Sequence, residues 1–299
     1  MSTHLVLSVA LPNPYRAEDV LAFHRRDPAA TAEDVRDRTL RKGLVLNGQP
    51  CCLTITFRDG SAEARLDADG ELPPEAADAF GVMTRRALGL TQDIARFERE
   101  FRNHPQLGRV IERQRGLRVP VTPTPFEALT WAVTGQQISV HAALSLRRRL
   151  IRQAGRQHAC GLLCYPDADD LLDLDEAALR AAGYSSAKAR TLRTVAARVA
   201  DGSLPLDAWA TDIDPQAIRN TLLGIPGIGP WTINYTLLRG YAWLDGSLHG
   251  DAAVRRGIQL LHDQPDKVGS AQAEEWLSQF APWRALVGAH LWAFQAGTG

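Results

Sequence analysis

Residues Leu222–Arg239 read LLGIPGIGPWTINYTLLR, with Gly224, Gly227 and Gly229 set among Pro226 and Pro230. Helical spacing lies on both sides, in DPQAIRNTLLG before and PWTINYTLLRG after, so the stretch predicts two helices joined by a glycine hairpin. Glycine reaches positive φ and leaves no side chain between its N–H and an approaching group. Successive N–H groups at the start of a helix form a concave anion site, and Pro230 suits the first turn, where its missing N–H is harmless. The hairpin can grip a phosphate without any lysine, or it can be only a tight connection. A dinucleotide fingerprint would place Gly-x-Gly-x-x-Gly after a strand, and a P-loop would need Gly-Lys-Ser/Thr; neither pattern fits.

The rest of the chain bounds what that hairpin can serve. The 299 residues are 45% hydrophobic, enough for a substantial core, and carry 34 basic and 34 acidic side chains. With zero net charge, nucleic-acid contact must come from a local patch or from backbone donors. Only Lys42, Lys188 and Lys267 are lysine, and the run Arg147-Arg148-Arg149 reads first as a solvated face. The start MSTHLVLSVALPNPYRAED has no basic segment followed by a long apolar run, and no stretch has membrane-span length, so a soluble cytoplasmic protein is expected. Adjacent Cys51-Cys52 and the pair Cys160, Cys164 lack the spacing of a zinc site and read as plain thiols.

Strand patterns fall early. HLVLSVALP and CCLTITFRDGSAEARLDADG read as strands, the second turning at Asp59-Gly60, while AEDVLAFHRRD and PEAADAFGVMTRRALGL have helical spacing. Residues 1–92 are thus an expected α+β domain, and residues 93–299 an expected helical region. Its linker RVPVTPTPFEAL places Thr124-Pro125 to start a helix. The expected fold class is α+β, an antiparallel sheet followed by an all-helical body.

Gly-Ile-Pro-Gly-Ile-Gly before an amphipathic helix resembles the helix-hairpin-helix of DNA-repair proteins, specifically the glycosylase superfamily that follows this hairpin with an aspartate. Within it the chain looks like the DNA-3-methyladenine glycosylases of type II, the AlkA kind. GLRVPVTPTPFEALTWAVTGQQISVHAA, GYSSAKARTLRTVA, LPNPYRAEDVLAFHRRD and HLWAF are similar to segments of that family, so the likeness spans nearly the whole chain. It implies two helical subdomains, residues 121–243 and residues 93–120 with 244–299, with a cleft between them. It implies a monofunctional enzyme that hydrolyses the N-glycosidic bond of alkylated purines flipped from duplex DNA. The four-cysteine run of the iron–sulfur relatives is missing, so no cluster, cofactor or metal is expected, and a monomer fits a protein that must wrap bent DNA.

Asp251, twenty residues after Trp231, precedes a helical run and reads on its own as an N-cap. The resemblance makes it the catalytic carboxylate. Trp231 and Tyr235, four apart on one face, read on their own as core; the resemblance puts them with Trp292 and Phe23 in the base pocket. It assigns DNA contacts to Gly227, Ile228, Gly229 and Thr232, to Gln136, Gln137 and Ser139, and to Lys188. Some relatives carry a lysine nucleophile where this chain has Trp231, and an apolar leucine where it has Gln137. HGDAA around Asp251 and Ala293 after Trp292 also depart from the family pattern. Two other readings stand beside the glycosylase: a non-catalytic DNA-binding module, and a bifunctional glycosylase/lyase for oxidised bases, against which Trp231 argues.

Overall fold

The computed structural model describes residues 3–296. Strands β1 (Thr3–Ala10), β2 (Glu33–Arg36), β3 (Thr39–Leu46), β4 (Gln49–Arg58) and β5 (Ser61–Ala68) form one antiparallel sheet in the order β1-β5-β4-β3-β2. The β4–β5 hairpin closes at Arg58 opposite Ser61, around the expected Asp59-Gly60 turn. Helices α1 (Ala17–His24) and α2 (Ala76–Ala87) bury Val20, Leu21, Phe80 and Met83 against its apolar face.

Strands β2 and β3 lie outside the sequence expectation, because Arg41, Lys42 and Gly43 interrupt the alternation of TLRKGLVL. Their reason is tertiary. A Cβ on Gly43 would stand 2.3 Å from the Leu163 carbonyl oxygen, and Tyr165 N–H donates to Gly43 O at 3.0 Å. Glycine lets a loop of the helical body lie directly on the strand.

The rest is helical: α3 (Ile94–Phe101), α4 (Gly108–Arg113), α5 (Pro125–Gly135), α6 (Val140–Ala154), α7 (Ala168–Leu172), α8 (Glu176–Ala181), α9 (Ser186–Ala200), α10 (Pro215–Leu223), α11 (Pro230–Tyr241), α12 (Ala252–Leu261), α13 (Ser270–Ser278) and α14 (Arg284–Ala296). Thr124 caps α5 by accepting from Glu127 N–H at 3.3 Å, with Pro125 in the first turn as expected. One apolar core gathers Leu129, Leu150, Leu192, Ile218 and Leu237; a second gathers Phe97, Ile111, Leu238, Ile258, Phe280 and Leu291. Helix α11 contributes to both, and every residue from Thr232 to Tyr241 is buried. A helix buried all round is the shared wall between two cores.

Charge, too, is buried between sheet and helices. Lys42 of β3, 1% exposed, bonds Glu33 of β2 and, at 2.8 Å, Glu127 of α5. Arg147 of α6 reaches Glu127 at 2.9 Å and Glu33 at 3.3 Å, and His24 lies 3.1 Å from Glu33. Arg147 is therefore no solvated residue, although the arginine run reads that way. Burial alone would raise the Glu33 carboxyl, but the charges of Arg147, Lys42 and His24 hold it well below the usual carboxylate range.

Two stability predictions follow from these buried groups. Lys42→Met leaves two buried carboxylates short of a partner and should cost about 3–5 kcal/mol in a denaturant titration; a loss under about 1 kcal/mol contradicts the cluster's role. His290 is fully buried beside Phe97, its Nδ1 2.7 Å from Gln114 Oε1, and burial pulls its imidazole down from 6.5 to about 3. The folded form keeps it neutral while the unfolded chain protonates it. Its stabilisation is complete above pH 6.5 and drains as the pH falls toward 3, by about 1.4 kcal/mol per unit. His290→Gln should show an acid-side stability slope smaller by about one proton; an unchanged slope sinks this assignment.

Candidate active site

Asp251 is the N-cap of α12, with extended backbone at φ −76° and ψ 126°. Its Oδ1 accepts from the amides of Ala253 at 2.9 Å and Val254 at 3.0 Å, closing the first turn. The same oxygen accepts from the Trp292 indole at 3.2 Å, while Oδ2 accepts from the Trp231 indole at 3.0 Å. The cap is thus also the meeting point of two aromatic side chains from α11 and α14. Asp251 remains half-buried, so four N–H groups orient the carboxylate without sealing it.

The aromatics are contiguous. Tyr235 lies one turn below Trp231, ring centres 5.3 Å apart, and 6.3 Å from Trp292. Its hydroxyl accepts from the Trp131 indole at 2.9 Å. Phe23 arrives from α1 and is joined to the group through Arg239, whose guanidinium sits 4.5 Å from the Phe23 ring centre and 5.4 Å from that of Trp292. Arg26 covers Phe23 at 3.8 Å. Phe23, Trp131, Tyr235, Arg26, Arg239 and Glu127 line a narrow cleft. Asp251, Trp231 and Trp292 do not line it; they stand beside it, beyond Tyr235.

The sequence reading missed Trp131, Arg26 and Arg239. A signal existed for Arg239, which continues the four-residue spacing of Trp231 and Tyr235 on α11. Burial pulls its guanidinium down to about 10. Arg239 Nε and Glu127 Oε2 are buried with no hydrogen-bond partner among the described residues. Beneath the cleft wall the protein thus leaves one donor and one acceptor unpaired.

The hairpin between α10 and α11 carries one strained position, Gly227 at φ +89°; Gly224 and Gly229 take ordinary negative φ. Gly229 is the N-cap of α11, and a Cβ there would meet nothing within 4 Å. Its surface is open to an approaching group. Ile228 is buried, and Thr232 lies in the first turn of α11. Gln136 Nε2 donates to Gly227 O at 2.9 Å and to Thr232 Oγ1 at 2.8 Å, tying the α5–α6 turn to the hairpin. Lys188 donates to the carbonyls of Thr134 and Gln136, both at 2.8 Å, so in this structure it holds the turn in shape. Ser139 caps α6 by accepting from Ala142 N–H at 3.2 Å. Between them Gln137 is exposed in the left-handed region at φ +55°, followed by exposed Ile138 and Val140.

The family model described as "HhH-GPD superfamily base excision DNA repair protein" matches residues 130–282, and one described as "AlkA N-terminal domain" matches residues 6–123. The "Probable bifunctional transcriptional activator/DNA repair enzyme AlkA" of Mycobacterium tuberculosis is 28% identical over 293 residues, covering 96% of this chain; the chain spans only 56% of that relative's length. "DNA-3-methyladenine glycosylase 2" of Escherichia coli is 26% identical over 286 residues, 93% of this chain and 94% of that protein. In fold the chain is similar to the 3-methyladenine DNA-glycosylase from Archaeoglobus fulgidus, with TM-score 0.81, 18% identity, and 97% of this chain and 98% of that one covered.

A Cβ at Gly227 would lie 2.2 Å from Thr191 Oγ1 as well as in the left-handed region. Gly227→Ala should therefore destabilise the protein by about 1–3 kcal/mol in a denaturant titration. A neutral substitution means that the hairpin is not held in this shape.

Proposed function

Because this chain belongs to the HhH-GPD superfamily of base excision DNA repair proteins, we propose that it hydrolyses the N-glycosidic bond of an alkylated purine, such as 3-methyladenine, turned out of duplex DNA. One observation carries the reading: a half-buried carboxylate, Asp251, is aimed by two indoles beside an aromatic cleft. Breaking an N-glycosidic bond leaves positive charge on the sugar. A fixed carboxylate stabilises that charge and directs water to the face opposite the departing base. An alkylated purine is already cationic, so it leaves without a protein acid.

The surroundings support the same chemistry. Trp231 occupies the place from which a lysine would attack the sugar carbon, so the reaction ends at hydrolysis and leaves an abasic site. Trp231, Tyr235, Trp292 and Phe23 supply π faces for a cationic base, each good contact contributing about 0.5–2 kcal/mol. Extrusion of the base costs a few kcal/mol. In this reading the hairpin at Gly227 and Gly229 takes a backbone phosphate, over Ile228 and Thr232 packed beneath it. Gln136, Ser139 and Lys188 shape the neighbouring turn, and Gln137 with Ile138 enters the vacated stack. A monomer acting in the cytoplasm fits these roles; among the described residues, no helix is long and apolar enough to cross a membrane.

Incubation with methylated duplex DNA should release free 3-methyladenine, and Asp251→Asn should slow release by at least about 100-fold. No release by the parent protein, or full release by the variant, refutes the proposal. Borohydride should trap no covalent protein–DNA adduct; an adduct would favour a lyase.

A further inference from the structure

Cys52, His158 and Cys160 are scattered in sequence but meet at one place, with a ligand atom from each lying within 4.8 Å of the others. Cys52 is buried on β4; His158 and the half-buried Cys160 sit on the loop between α6 and α7. That loop is a tight turn. Gly161 N–H donates to His158 O at 2.8 Å, His158 N–H donates to Leu162 O at 3.0 Å, and Gly161 takes φ +90°. The turn holds a histidine and a cysteine two residues apart over the thiol of Cys52.

The histidine is already oriented. Its Nε2 lies 3.3 Å from Asp69 Oδ1, and the Asp69 carboxylate also accepts from Ala159 N–H at 3.0 Å. With the proton on Nε2 facing Asp69, the Nδ1 lone pair accepts from the Cys160 N–H at 3.0 Å, a hydrogen bond that a metal at Nδ1 would displace. A carboxylate behind an imidazole is the arrangement that aims a metal-binding histidine and raises its basicity.

We propose that Cys52 Sγ, Cys160 Sγ and His158 Nδ1 bind one zinc ion, with Asp69 orienting the histidine. Binding releases the two thiol protons, and two thiolates with a neutral imidazole offset the dication's charge. Donor atoms about tetrahedral zinc stand about 3.5 Å apart, given bonds of about 2.0–2.3 Å, so the three contacts need a closure of the turn that also swings the Cys160 N–H off His158 Nδ1. Solvent supplies the fourth ligand. The ion would add a further tie between the sheet and the helical body, apart from the Lys42 cluster and the Gly43–Tyr165 contact.

The test uses the full chain, purified with a reductant and a chelator and then freed of both. Titration with CoCl2 should give a thiolate-to-cobalt charge-transfer band that saturates at one equivalent, and ZnCl2 should bleach it. Cys160→Ser and His158→Gln should lose the band, whereas Cys51→Ser and Cys164→Ser should keep it. Asp69→Asn should weaken zinc binding about 10–100-fold in a competition assay. Circular dichroism of each variant separates lost binding from lost folding: a folded Cys160→Ser protein that keeps the full band overturns the site. So does a folded parent protein with no band at stoichiometric cobalt, or one whose Cys52 and Cys160 are recovered as a disulfide that zinc does not prevent.

Discussion

Four N–H groups converge on the carboxylate of Asp251, two from the main chain of α12 and two from indoles on α11 and α14. Hydrogen bonds to a charged group contribute about 1.5–3 kcal/mol each. Their geometric effect matters more here. The carboxylate can satisfy all four donors only if the start of α12 lies between Trp231 and Trp292, so the packing of three helices is what aims it. The second helical core, where Leu238, Ile258 and Leu291 meet, supplies that packing. A cap that would serve one helix in an ordinary protein here gathers donors from three.

The sheet takes part at a distance. It brings Phe23 on α1 against Arg239 of α11, and is held to α5 and α6 by the buried charges of Lys42, Glu33, Glu127 and Arg147. An apolar contact in that place would be as stable or more so. The polar cluster instead fixes one register between the parts, because each charge has only the partners at its own height. Glu33, Glu127 and Arg147 belong to both the cluster and the cleft lining, so the anchoring of the sheet and the shape of the cleft share these residues.

What could be read from residues alone was whatever is encoded locally. The glycine hairpin, Thr124 as a cap, the Asp59-Gly60 turn and the order of sheet before helices all follow from short-range rules. Family resemblance then singled out Asp251 and its aromatics, which local rules would have left as a cap and a core stripe. Strand β3 escaped because its Lys42 is matched by residues far along the chain, and its Gly43 by a loop carbonyl. The Asn47-Gly48 dipeptide, both residues at positive φ in the β3–β4 turn, was the local signal that went unread. Arg147 looked like part of a solvated run for the same reason as Lys42: its partners are distant. Cys52, His158 and Cys160 have no motif spacing, so only the fold could bring them together.

The central claim is electrostatic: Asp251 faces a positive charge that arises on the sugar. The most direct test compares binding of two DNA duplexes, one with a cationic pyrrolidine and one with a neutral tetrahydrofuran in place of the deoxyribose. A transition-state-like cation should bind the parent protein at least about tenfold more tightly than its neutral counterpart, and Asp251→Asn should lose that preference. Equal affinity of the parent protein for the two duplexes, or an undiminished preference in the variant, would contradict the account.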